Sequence, residues 1–94
     1  MKSLVWSPAF IRAFKRLVRK NPQLRPQIEL ILLQLAEDPF QPSLRSHKLT
    51  GDLLGRWSCS IDYSNRILFK FVQKPDSDEE EILLLTLGSH DEVY

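Results

Sequence analysis

Near the ends of the C-terminal strands stand seven residues whose side chains are suited to proton transfer or to holding phosphate: His47, Lys48, Arg56, Arg66, His90, Asp91 and Tyr94. Histidine fits either proton role, because its unperturbed pKa of about 6.5 lies near working pH. Lysine and arginine hold an anion as charge-assisted donors, arginine through a planar fork. A lone histidine is more often structural than catalytic, so residue type by itself leaves both readings of His47 and His90 open. Other chemistries lack their residues. The two histidines are 43 positions apart, Cys59 is the single cysteine, and the acidic run Asp78 to Glu81 lacks the glycine and spaced ligands of a calcium loop. No metal motif is therefore present. Three glycines form no phosphate loop and no nucleophile elbow, and no cofactor is expected.

The elements that must carry these residues follow from capping and periodicity. Leu4, Val5 and Trp6 suit a first strand. Ser7-Pro8 should then start a helix, since serine is a good N-cap and proline is favoured at the first helical position. Phe10, Ile11, Phe14, Leu17 and Val18 recur at spacings of three and four, giving that helix one apolar stripe. Arg12, Lys15, Arg16, Arg19 and Lys20 fall opposite it. A second helix, with Leu24, Ile28, Ile31, Leu32 and Leu35 buried, should begin between Pro22 and Pro26 and close at Asp38-Pro39. The short link makes the pair an antiparallel hairpin.

Residues 39–52 carry no sustained periodicity and read as loop. From Arg56 the period becomes two. Trp57, Cys59 and Ile61 alternate with Ser58, Ser60 and Asp62, which describes a half-buried strand and puts Cys59 on the core face as a small hydrophobe. A turn at Tyr63-Ser64-Asn65 leads into a second strand over Arg66 to Val72. After an acidic connection, Ile82 to Leu87 is apolar almost throughout, as a central strand covered on both faces would be. The fold class is α+β: an N-terminal strand, an antiparallel helix hairpin, and a three-stranded antiparallel meander with the helices packed on one sheet face. This topology alone puts His47 and His90 at opposite ends of the sheet. The 39–55 segment is long enough to fold back along it.

At 94 residues the chain is read as a single domain, 1–94. Its formal charge of +1, taken as a total, argues against a basic nucleic-acid binder, but the charges are unevenly placed. Residues 1–74 hold all 13 basic residues and five acidic ones, a net +8, and residues 75–94 hold seven acids and no base, a net −7. The longest apolar runs are far short of the ~20 residues of a membrane span, and MKSLVWSPAF lacks a signal-peptide core. With one cysteine, a reducing, cytoplasmic location is expected.

Two segments then carry a resemblance. One is His47-Lys48-Leu49-Thr50-Gly51-Asp52-Leu53-Leu54-Gly55-Arg56-Trp57-Ser58 followed by Arg66-Ile67-Leu68-Phe69. The other is Leu87-Gly88-Ser89-His90-Asp91-Glu92-Val93-Tyr94. Together they resemble the RelE/ParE toxin superfamily, nearest to its RelE and YafQ-like branch, over the whole chain. The resemblance implies a RelE-like toxin of a bacterial type II toxin-antitoxin system that cuts messenger RNA on the ribosome without a metal. The implied chemistry is attack of a ribose 2′-OH on the adjacent phosphate. It implies His47 and His90 in proton transfer, Tyr94 on a base or assisting a proton, and Arg66 at the phosphate. Lys48 and Arg56 would bind the RNA backbone, and the stripe Arg12, Lys15, Arg16 and Arg19 would either anchor on ribosomal RNA or be a solvated face. The implied partners are a cognate antitoxin, the ribosome and its message, with no membrane and no small-molecule cofactor. Ser58 and Ser60 depart from the pattern, standing where the family carries arginine or histidine. A gyrase poison of the ParE kind, or a toxin-fold protein that only binds its antitoxin, is the alternative. Asp91 and Glu92 are expected to orient the chain end.

Overall fold

Ser7 starts the first helix as its sequence predicts. Its hydroxyl accepts the Phe10 amide at 3.0 Å and Pro8 occupies the first helical position, giving α1 over Pro8–Lys20. In the computed structural model, which describes residues 1–94, α1 follows strand β1 (Leu4–Trp6) and precedes α2 (Leu24–Glu37). Pro26 is the third residue of α2. It lies inside the first turn, where backbone N–H groups have no intrahelical partner, so the proline removes no bond.

The segment after α2, read as loop, is an ordered strap. Gln41 Nε2 donates to the Gln34 carbonyl at 2.8 Å and Ser46 Oγ to the Pro39 carbonyl at 2.6 Å. A 3₁₀ turn at Pro42–Leu44 seats Leu44 in the core, fully buried. The strap then forms a two-residue strand, β2 (His47–Lys48), and a second 3₁₀ turn at Gly51–Leu53. Alternation is invisible in so short a strand, which is why sequence periodicity misses it.

The expected meander follows as β3 (Trp57–Ser60), β4 (Asn65–Gln73) and β5 (Glu80–Ser89), all antiparallel. β1 adds to β5 in parallel and β2 adds to β3 antiparallel, so the sheet order is β1-β5-β4-β3-β2. A last short helix, α3 (His90–Val93), was not expected. The core joins Phe10 of α1 and Ile28 and Leu35 of α2 to Ile67, Phe69 and Leu84 of the sheet, each fully buried. Burying side chains of this size contributes about 1.5–3 kcal/mol each, which holds α1 and α2 to one sheet face.

One irregularity sets the face of everything downstream. Leu68 pairs with Thr86 and Phe69 with Leu84, so Leu85 is an extra residue in β5. A β-bulge of this kind inverts alternation. Ile82, Leu84 and, past the bulge, Leu87 therefore all point to the helices. Ser7 secures the bulge by donating its hydroxyl to the Leu85 carbonyl at 3.2 Å. No helix is long and apolar enough to cross a membrane.

Candidate active site

Sheet register assembles the site on the face away from α1 and α2. His47 pairs with Ser58 across β2–β3, Ser58 with Leu68, and Leu68 with Thr86, giving one transverse row. Two residues further along each strand the same face carries Ser60, Arg66 and Gly88. The strap thus returns His47 to the end of the sheet where β5 delivers α3, correcting the topological expectation that the two histidines lie apart. His47, Arg66, His90 and Tyr94 line one open depression of about 410 Å³ together with Leu49, Thr50 and Leu53.

Each of these side chains is oriented. His47 Nδ1 lies 3.2 Å from the Arg45 carbonyl oxygen. A carbonyl only accepts, so this contact selects the Nδ1–H tautomer and leaves Nε2 as the acceptor nitrogen. Arg66 donates from Nη1 to the carbonyls of Asp62 at 2.7 Å and Asn65 at 3.1 Å, while its Nε and Nη2 donate to no protein acceptor. His90 meets the Tyr94 ring edge-on, with centroids 4.4 Å apart at 68°. Its Nδ1 is 3.7 Å from Asp91 Oδ1, an ion pair only when His90 is protonated. Tyr94 donates its hydroxyl to Ser58 Oγ, and Ser58 is fully buried beneath it.

α3 is itself held from both ends of its first turn. Ser89 N donates to Glu92 Oε1 at 2.9 Å and Glu92 N to Ser89 Oγ at 3.4 Å, a capping box. Hydrogen bonding to Ser89 holds the Glu92 carboxyl below the usual carboxylate range, outweighing desolvation, with Lys20 and Arg16 adding to the lowering. The expectation that Glu92 orients the chain end thus has a geometric basis.

Other candidate residues lie elsewhere. Lys48 pairs with Trp57, so it faces the helix side, and its ammonium sits 5.7 Å from the Trp57 ring centroid. The period-two rule that brings His47 to the site turns Lys48 away from it. Arg56 is exposed just before β3 and does not line the depression. Arg12, Lys15, Arg16 and Arg19 are exposed on α1. Arg16 and Lys20 line a separate depression with Gly88 and Glu92, so α3 stands between the two, giving Glu92 to one and His90 to the other. Asp62 is committed to the β3–β4 turn, accepting the Ser64 and Asn65 amides at 2.8 and 2.7 Å. Cys59 is buried, and that burial pushes its thiol up to about 12 against a smaller lowering by Arg66, so it stays a neutral core group. Ser58 is the residue sequence reasoning undervalued. It reads as a lost cation, yet its alternation with Cys59 already placed it on the Arg66 face, where it anchors Tyr94.

No three His, Cys, Asp or Glu side chains converge as a metal-binding group. What the arrangement offers is a histidine with a free Nε2, a second histidine, an arginine with unspent donors and an aromatic ring around one opening.

The fold is that of the RelE/YafQ-like toxins, as the sequence resemblance anticipates. YafQ from E. coli aligns over 100% of this chain and 99% of its own, with a TM-score of 0.79 at 14% identity. The same toxin in the E. coli DinJ-YafQ toxin-antitoxin complex aligns over 99% and 97%, with a TM-score of 0.76. A YoeB/ParE toxin from Agrobacterium tumefaciens gives 0.76 at 21% identity over 96% of this chain and 99% of its own. A copper-bound variant of a Helicobacter pylori toxin gives 0.73 at 26% identity over the full length of both chains. Neither a family model nor a curated protein sequence matches this chain.

Proposed function

We propose that this chain is the toxin of a type II toxin-antitoxin pair and a ribosome-dependent endonuclease of messenger RNA. The observation that supports it is that His47, Arg66, His90 and Tyr94 line one open depression of about 410 Å³. In the step envisaged, His47 Nε2 takes the proton of a ribose 2′-OH as that oxygen attacks the adjacent phosphorus. Arg66 offers its free N–H groups to the non-bridging oxygens, where negative charge builds. His90 gives a proton to the departing 5′ oxygen as the P–O5′ bond breaks, leaving a 2′,3′-cyclic phosphate and a 5′-OH. Each positioned proton transfer is worth roughly 10²–10⁴ in rate. The Tyr94 hydroxyl is engaged by Ser58, so its ring, rather than its proton, is what it presents to a base.

DinJ-YafQ supports an antitoxin partner. Two sheet edges, β1 and β2, and the exposed Leu30 and Leu33 of α2 could accept an added strand or helix. A second reading, a protein of this fold that binds an antitoxin or gyrase without cutting RNA, draws support from Ser58 and Ser60, which put no cation beside Arg66 on β3. Cell-free translation separates the two. The nuclease halts protein synthesis and cuts the message, and His47→Ala or His90→Ala lowers cutting at least tenfold. Intact message and unchanged synthesis with the parent protein would refute the nuclease.

A further inference from the structure

Beside the depression that holds His47 lies a second, of about 370 Å³, at the β3–β4 end of the sheet. Arg66 lines both. The second also receives Arg45 from the strap, Ser60 from β3 and Tyr63 from the β3–β4 turn. Four features distinguish it from an ordinary surface hollow. The Arg45 guanidinium makes no ion pair and no hydrogen bond with the protein. Tyr63, 97% exposed, presents a bare aromatic ring at a turn. The one acid lining the hollow, Asp62, has its carboxylate turned into the turn by the Ser64 and Asn65 amides and the Asn65 side chain. Finally, Arg45 holds a left-handed backbone, φ 51°, uncommon for a residue other than glycine. From that position its carbonyl accepts from His47 Nδ1, and the same residue lines the second hollow.

We propose that the Arg45–Tyr63 hollow is a second nucleotide subsite, continuous with the first through Arg66. A single-stranded RNA whose reacting phosphate lies at Arg66 places a neighbouring phosphate on the Arg45 fork and a base on the Tyr63 ring. This rests on the reading of the first depression as an RNA site. The chemistry is general: guanidinium groups hold phosphate bidentately, and bases stack on aromatic rings without regard to sequence. Arg45 therefore acts twice, orienting His47 through its backbone and binding substrate through its side chain.

The test is binding rather than cleavage. A fluorescein-labelled RNA hexanucleotide with 2′-O-methyl groups cannot perform the 2′-OH attack, and its anisotropy with the full chain is followed over a salt series. Arg45→Asn suits the site, because asparagine adopts left-handed φ readily, and thermal unfolding checks that each variant is folded. Arg45→Asn is expected to weaken binding several-fold and to reduce the slope of log K against log salt by about 0.7, the share of one single-strand phosphate. Arg45→Lys keeps that slope. Tyr63→Ala weakens binding roughly tenfold with the slope unchanged, as loss of a stacked base requires. Either Arg45→Asn or Tyr63→Ala binding within twofold of the parent overturns the subsite, as does a parent that does not bind the probe. If His47→Ala and His90→Ala still cut messages while these binding losses persist, the proton-transfer roles fall and the subsite stands. The opposite pattern removes the subsite and leaves those roles.

Discussion

Ser58 and Tyr94 show how a substitution that looks like a loss can set a site. The Ser58 hydroxyl is fully buried and accepts the Tyr94 hydroxyl, which fixes the ring that in turn meets His90 edge-on. A hydrogen bond of this kind contributes about 1 kcal/mol net. Ser58→Ala should therefore lower unfolding stability by about 1 kcal/mol in urea and slow message cutting several-fold. Tyr94→Phe should do the same, and the double variant should cost less than the sum of the two, since both remove one bond. Additive losses in stability would show that the two residues act independently. The sequence made His47, Arg66, His90 and Tyr94 legible as candidates by type and by resemblance. It could not reveal that Ser58 serves Tyr94, because the two are 36 positions apart and meet only through sheet register.

At the scale of elements, α3 depends on two devices, a glycine and a capping box. Gly88 has φ +153°, and a Cβ there would stand 3.1 Å from Glu92 Oε1. Gly88→Ala meets backbone strain and presses on the Glu92 carboxylate of the capping box, so a loss of about 1–3 kcal/mol is expected, with message cutting falling further as His90 and Tyr94 shift. The capping box also gives a pH dependence. Glu92 has its carboxyl lowered in the folded chain, so its stabilisation is present above the ordinary carboxylate range and is lost as pH falls through the lowered value. Protection of the amides of residues 89–94, taken relative to the intrinsic exchange rate at each pH, should therefore fall in acid, and Glu92→Gln should blunt the change. An acid response that is the same in Glu92→Gln would assign it to another group. Helices α1 and α2 and strands β3 to β5 were legible because capping, Pro39 and apolar periodicity act locally. Strand β2 and the Leu85 bulge were not, because a two-residue strand has no period and a bulge is defined by its partner strand.

Across the whole molecule, five of the seven acids of residues 75–94 gather at one end of the sheet, while Asp91 and Glu92 sit on α3 beside His90. β5 begins at Glu80 and delivers His90 ten residues later, so the acidic 76–81 connection lies at the far end of an extended strand, roughly 30 Å away. There Lys74 meets Glu79 at 3.3 Å and Lys2 meets Glu80 at 3.7 Å, exposed pairs of small energetic weight. Replacing Asp76, Asp78, Glu79, Glu80 and Glu81 by serine should leave message cutting within about threefold of the parent. At that range charge is screened by a Debye length of about 8 Å. A loss beyond tenfold would place this end of the sheet against the RNA. Arg16, Arg19 and the other α1 cations are free to contact a phosphate backbone, so cutting on ribosomes should weaken with salt more steeply in the parent than in a variant with Arg12, Lys15, Arg16 and Arg19 neutralised.

The proposed roles of two histidines and an arginine in 2′-OH attack leave a signature on the RNA. The most direct measurement is the chemistry of the cut ends, read from message recovered after cell-free translation with the purified chain. Fragments ending in a 2′,3′-cyclic phosphate and beginning with a 5′-OH are expected, reduced at least tenfold by His47→Ala and by His90→Ala. Fragments beginning with a 5′-phosphate, or cutting undiminished in both variants, would contradict those roles.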